Sequence, residues 1–307
     1  MDLLRKLVDS DRALHTWLWA SLICNMGIIV TGAVVRITGS GLGCPTWPQC
    51  TDDSYVPHGA LGIHGAIEFG NRLLTFVLIA AALGAFISAV LRHGARSELF
   101  WITLGVGLGI PFQGVIGGIT VLTQLNPFVV AFHLLLSVAL VVICVWALRV
   151  GYRVEPVAVG KGPRWLVVLT FAAAMASIWL GTVVTGSGPH AGDADAVRTG
   201  FDIEATARLH AALAWVFGAG ALACLVLFTR ARLTLPKRGA IAVVAAGATQ
   251  GAIGYAQYFL GIPAGIVALH MVGLAILTAA VSWLLVTTRS WHADQPAADE
   301  DPALRAA

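Results

Sequence analysis

Eight stretches of this chain are each long and apolar enough to cross the hydrocarbon core of a bilayer, and no other feature constrains the fold as strongly. A helical span needs about 20 residues with few charges. The stretches are 15–36, 63–91, 99–121, 128–149, 164–185, 205–229, 239–260 and 265–288. In lipid every backbone N–H and C=O must bond within the protein, so lone runs of this length read as helices. Pro127 and Pro263 stand where the fourth and eighth runs begin, as suits prolines at helix starts. Composition agrees: only 11% of residues are charged, against about 25% in a soluble domain. The expected fold class is an all-α integral membrane protein of eight transmembrane helices. A net charge of +3 is mild, so the expected environment is the lipid bilayer and no nucleic acid is expected as a partner.

The basic residues give the orientation. With the N-terminus inside, 15 of the 19 Lys and Arg residues fall in inner segments, and only Arg36, Arg72, Arg198 and Arg208 lie in outer loops or at outer helix ends. The positive-inside rule then puts both termini in the cytoplasm. The first apolar run lacks a small-residue cleavage site and is long enough to span, so it reads as a retained helix in a bacterial plasma membrane. Cys24, Cys144 and Cys224 lie inside apolar runs and read as small buried hydrophobes. Cys44 and Cys50 flank Pro-Thr-Trp-Pro-Gln in a polar outer loop, where disulfides persist. Metal ligation there would need further ligands nearby, so a disulfide is expected.

The chain repeats itself. Gly32-Ala-Val-Val-Arg-Ile-Thr-Gly-Ser-Gly41 closes the first run, and Gly181-Thr-Val-Val-Thr-Gly-Ser-Gly188 closes the fifth. Gln113-Gly-Val-Ile-Gly117 matches Gln250-Gly-Ala-Ile-Gly254, and a histidine follows each glutamine after 20 residues, at His133 and His270. Runs one to four thus recur as runs five to eight, and each set crosses an even number of times, so the copies are parallel. The expected organisation is two tandem pseudo-symmetric four-helix bundles, 1–150 and 151–290, with a disordered, acidic cytoplasmic tail at 291–307.

Polar side chains inside a membrane are costly and usually have a use. His64, His133, His210 and His270 each sit in the outer third of a run, whereas His15, His58, His93 and His292 lie in flanking segments and read as solvated. Facing histidines on two helices at equal depth are what bis-imidazole haem ligation requires. The plainer alternative is hydrogen bonding between helices. Zinc would need further Cys, His or carboxylate ligands that do not cluster with them. The repeat aligns His210 with Asn71 rather than with a histidine; His64 lies two turns up the same face, and Glu68 lies between them. Glu68 is the one acidic residue well inside a run. It suits an i,i+4 ion pair with Arg72, proton transfer beside a haem, or both. Arg72 and Arg208 have the depth and charge to meet haem propionates.

These residues resemble the haem A synthase family. The match rests on Gly32–Cys50 with its Thr-Gly-Ser-Gly-Leu-Gly-Cys-Pro-x-Trp-Pro-x-Cys run, on Glu68-Phe-Gly-Asn-Arg72, on Gln113-Gly-x-x-Gly117, and on histidines 133, 210 and 270. The resemblance implies two pseudo-symmetric four-helix bundles and conversion of haem O into haem A by oxidation of the C8 methyl to a formyl group. It implies that His210 and His270 are the axial iron ligands of a haem b cofactor in the C-terminal half. His133 then serves the N-terminal, substrate-binding half, Glu68 is catalytic, and Cys44 and Cys50 are the outer-loop pair. Haem O is the implied substrate, with haem O synthase and an electron donor as further expected partners. Two departures stand out. Many members carry histidine where this chain has Asn71, so either His64 supplies the missing ligand or the position is open. The C-terminal half also lacks an outer cysteine pair and reads Gly-Ser-Gly-Pro-His190-Ala-Gly-Asp193 instead.

Two other functions fit parts of the pattern. A bis-haem b electron carrier would need two equivalent bis-His sites, and the Asn71/His210 asymmetry with Glu68 argues against one. A transporter would place its polar site near the midplane on broken helices, whereas these residues gather near one face.

Overall fold

The computed structural model describes residues 8–290, and the tail expected to be disordered lies outside them. Eight long helices follow one another: α1 (Asp11–Ile37), α2 (Gly62–His93), α3 (Glu98–Leu122), α4 (Pro127–Gly151), α5 (Lys161–Ser187), α6 (Ile203–Arg230), α7 (Thr234–Phe259) and α8 (Ala264–Val286). All eight are long and apolar enough to span a membrane. The helices begin one to five residues before the apolar runs, and caps explain several of the extensions. Ser10 Oγ accepts from Ala13 N–H at 3.0 Å, Ser97 Oγ from Phe100 at 3.1 Å, Asn126 Oδ1 from Phe128 at 3.0 Å and Asp202 Oδ1 from Ala205 at 2.7 Å. Each satisfies an N–H that the first turn leaves unpaired.

The helices close into two rings. In the first, α1 packs on α2, α2 on α3, α3 on α4, and α4 returns to α1; α5 to α8 make the same circuit. Contacts of α4 with α8, α1 with α8 and α4 with α5 join the rings. The first ring's core is built on Leu14, Leu18, Leu22 and Ile29 of α1 against Val141, Val145 and Leu148 of α4, all buried. On the same stripe of α1, Ser21 Oγ and Asn25 Nδ2 each lie 3.7 Å from Cys144 Sγ of α4. That contact fixes the relative depth of the two helices.

The 38–61, 123–126, 188–202 and 260–263 connections share one end of the molecule, called the disulfide end below. There Gly41 N–H donates to Gly192 O at 2.8 Å, joining the first long loop to the one after α5. Leu125, buried in the α3–α4 turn, packs against both glycines.

One element was not expected from the sequence. The last apolar run reads to 288, but α8 stops at Val286, and β1 (Val157–Val159) pairs in parallel with β2 (Thr288–Ser290). Two β-branched residues in β1 favour an extended chain, and the pairing satisfies backbone groups freed by the helix end.

Candidate functional site

The disulfide end of the first ring is built around one carboxylate. Cys44 and Cys50 form a disulfide and are fully buried, which bears out the expected pairing. The loop they close folds back onto α2. Cys44 N–H donates to Glu68 Oε2 at 2.6 Å, and Arg72 Nη2 donates to Glu68 Oε1 at 2.6 Å, so both carboxylate oxygens are held. Arg72 also clasps the loop: Nη2 donates to Cys44 O and Thr46 O, each at 3.0 Å, and Nη1 to Gln49 O at 3.2 Å. A planar guanidinium with five donors suits this many-sided role. Trp47, between the two cysteines, lies on α3 at Gly118, where any Cβ would overlap its ring.

The second ring brings two expected ligands together. The rings of His210 (α6) and His270 (α8) have centroids 6.4 Å apart and planes inclined by 63°. Hydrogen bonding to Ser177 O at 2.8 Å fixes His210 Nδ1, leaving Nε2 free. Gln250 Nε2 donates to His270 O at 2.8 Å, while His270 Nδ1 and Gln250 Oε1 are buried without partners. Each imidazole rests on a glycine of a neighbouring helix. A Cβ on Gly181 would come 3.2 Å from His210 Cε1, and one on Gly254 would come 3.3 Å from His270 Cε1.

The first ring repeats half of this arrangement. Gln113 Nε2 donates to His133 O at 3.1 Å and to Ser137 Oγ at 2.6 Å, a Cβ on Gly117 would come 3.3 Å from His133 Cε1, and His133 Nδ1 and Gln113 Oε1 are again buried and unpartnered. The other half differs. Asn71 Oδ1 accepts from Thr31 Oγ1 at 2.7 Å, where Thr31 adjoins Gly32, the repeat counterpart of Gly181. Asn71 therefore meets α1 as His210 meets α5. His64, the third residue of α2, is exposed, and its Nδ1 hydrogen-bonds Ser40 Oγ at 2.9 Å. His64 thus has a hydrogen-bonding partner in the loop after α1.

The two arginines expected at haem propionates are engaged elsewhere. Arg72 is committed to Glu68 and the disulfide loop. Arg208 forms an exposed i,i+4 ion pair with Glu204. In the second long loop, His190 Nε2 hydrogen-bonds Ile262 O at 2.9 Å, and Arg198 donates to Ala196 O at 3.0 Å and Pro189 O at 3.2 Å. Thr31, Ser40 and Ser177 were not among the expected site residues: Thr31 and Ser177 lie within apolar helices and Ser40 in the loop after α1, and a lone hydroxyl carries no spacing signal in either setting.

Among the described residues, no three His, Cys, Asp or Glu side chains gather to hold a bare metal ion. The class these features define is a polytopic helical membrane protein with a close pair of imidazoles on two helices of one ring. The family model of the cytochrome oxidase assembly proteins matches residues 15–64 and 61–193, and the chain belongs to that family. Similar curated proteins carry the name heme A synthase. That of Rhizorhabdus wittichii is 25% identical over 325 aligned positions, covering 88% of this chain and 92% of the relative. Those of Geobacillus kaustophilus and Oceanobacillus iheyensis are both 28% identical, over 123 and 148 residues. These two matches cover 40% and 43% of this chain and only 38% and 47% of the relatives' own lengths.

Proposed function

We propose that the chain is a haem A synthase, a membrane oxidoreductase that turns the C8 methyl of haem O into the formyl group of haem A, with haem b as its resident cofactor. The observation that carries this reading is the His210–His270 pair. Two imidazoles on opposite sides of one metal, with metal–nitrogen bonds of about 2 Å, have centroids roughly 6 Å apart. The observed separation is 6.4 Å, and two donors without a third suit a metal that brings its own equatorial ring. His210 and His270 would hold haem b, with the Ser177 carbonyl orienting His210 as ligand-supporting partners do. When bound, the haem supplies one-electron redox chemistry that no side chain here offers.

In the first ring His133 would face the substrate haem from α4. Asn71, whose amide is a poor iron ligand, leaves the opposite side without an imidazole. Among the described residues Glu68 holds the one buried carboxylate at this end, and it is the proton acceptor in the proposal, its position set by the Cys44 N–H and Arg72. Converting a methyl to a formyl group removes four electrons from one carbon and replaces two C–H bonds with C=O. With dioxygen as the oxidant, two O2 take those four electrons and four more from the electron donor and end as the formyl oxygen and three waters, so protons must pass through the site. The two rings are, in this reading, tandem pseudo-symmetric copies (1–150 and 151–290), supported by the shared glutamine–histidine and glycine–imidazole contacts. The disulfide end faces the oxidising side of a bacterial plasma membrane with both termini cytoplasmic, supported by the disulfide and by the distribution of basic residues. Haem O synthase and an electron donor are the proposed partners.

Pigment extraction from purified protein tests the reading. Haem b together with haem O or haem A is expected. Haem b as the sole pigment, with no conversion of added haem O, would point instead to an electron carrier.

A further inference from the structure

Among the described residues four arginines lie at the disulfide end, and three of them have hydrogen-bonding partners. Arg72 bonds Glu68 and loop carbonyls, Arg198 bonds two carbonyls, and Arg208 pairs with Glu204. Arg36, in the last turn of α1, is different. It is partly buried, its Nε is buried without a partner, and the charge near enough to act on it is another cation, Arg198. Proximity to its own helix C-terminus is favourable for a cation but does not give the buried Nε–H an acceptor. A buried donor without an acceptor beside a like charge is a costly arrangement that an anion would relieve.

The helix register says which neighbouring helix Arg36 faces. Asn25 of α1 touches Cys144 of α4. Arg36 lies 11 residues beyond Asn25 toward the disulfide end, and His133 lies 11 residues from Cys144 in the same direction along the antiparallel α4. Eleven residues make about three full turns and rise about 16 Å, so Arg36 and His133 fall on facing stripes at similar depth. The aliphatic part of Arg36 is pinned by the loop after α5: a Cβ on Gly192 would come 3.3 Å from Arg36 Cγ.

We infer that Arg36, within the electrostatic reach of Arg198, is an anion-binding site at the disulfide end of the first ring and takes a carboxylate of the tetrapyrrole seated against His133. This rests on the proposed haem reading and deepens it: substrate recognition moves from Arg72 and Arg208 to Arg36. A guanidinium fork matches a carboxylate in two parallel hydrogen bonds. Because Arg198 belongs to the second ring's loop, the site lies where the rings meet, and a bound carboxylate bridges them.

The test measures binding, not turnover. Purified protein retaining its own pigments is titrated with iron protoporphyrin IX and with its dimethyl ester, counting only binding lost in His133→Ala. Wild type should favour the diacid by roughly tenfold or more, as a charge-assisted hydrogen bond predicts. Arg36→Gln should bind the two equally, and Arg36→Lys should fall between. If Arg36→Gln does not fold, the ratio for Arg36→Lys decides, and a wild-type ratio overturns the assignment. An unchanged ratio in Arg36→Gln also overturns it. So does an unchanged ratio with loss of a phospholipid that wild type keeps through detergent exchange, which would assign the site to a lipid phosphate. If wild type binds neither porphyrin at His133, the haem reading of the first ring itself fails and this inference falls with it.

Discussion

The backbone N–H of Cys44 donates to Glu68 Oε2 at 2.6 Å, so the disulfide loop and the buried carboxylate of α2 form one unit. Redox state at the cysteines is thereby mechanically tied to the geometry at Glu68.

Opening the disulfide should therefore reduce turnover without emptying the second ring. Cys50→Ser frees the loop and weakens a hydrogen bond to an ionised group, worth roughly ten- to a hundredfold in rate if that bond orients the carboxylate. Haem O conversion and the haem b spectrum, measured on one preparation, check this. A variant that turns over like wild type would uncouple loop and site.

Glu68→Ala should abolish conversion while haem b stays bound to His210 and His270. Arg72→Gln has a different signature. It leaves the buried carboxylate without its counter-charge, a destabilisation of about 3 kcal/mol, and Glu68→Gln in the same chain should restore most of it. Thermal unfolding of the single and double variants in detergent measures the coupling; additive losses would mean the pair contributes little.

His210→Ala and His270→Ala should each remove a low-spin haem b signal, because either change leaves one imidazole on the metal. If both variants keep wild-type spectra and haem content, the ligand assignment is wrong.

At the first ring, His64→Ala should leave the substrate-haem spectrum unchanged, since its imidazole is held by Ser40 at the start of α2. Asn71→His should instead create a two-imidazole site resembling the second ring, read as a new low-spin signal by electron paramagnetic resonance. A spectral change in His64→Ala would return that residue to the ligand set.

Much of this was legible in the chain because the bilayer imposes long-range simplicity. Twenty-residue apolar runs can hardly be anything but spans, and a histidine spaced 20 residues from a glutamine in both halves marks equivalent faces whatever the tilt of the helices. What stayed hidden depends on short contacts between segments distant in sequence. Nothing in the spacing says that Arg72 reaches three loop carbonyls besides Glu68, or that Ser40 meets His64. The asymmetry at Asn71 was visible as a missing histidine; its bond to Thr31 was not. The β1–β2 pairing escaped because three-residue strands leave almost no pattern.

That small pairing has a consequence for ancestry. By tying Val157–Val159 to Thr288–Ser290 it brings the chain's way into the second ring beside its way out. In the first ring His15 hydrogen-bonds Gly151 O and stacks on Tyr152, which makes the same kind of closure. A unit whose two ends are neighbours can be fused head to tail with a copy of itself through a linker of a few residues, with neither copy distorted. On the proposed reading of the two rings as copies, such a fusion would leave them free to diverge, one with two imidazoles and the other with an amide in place of one.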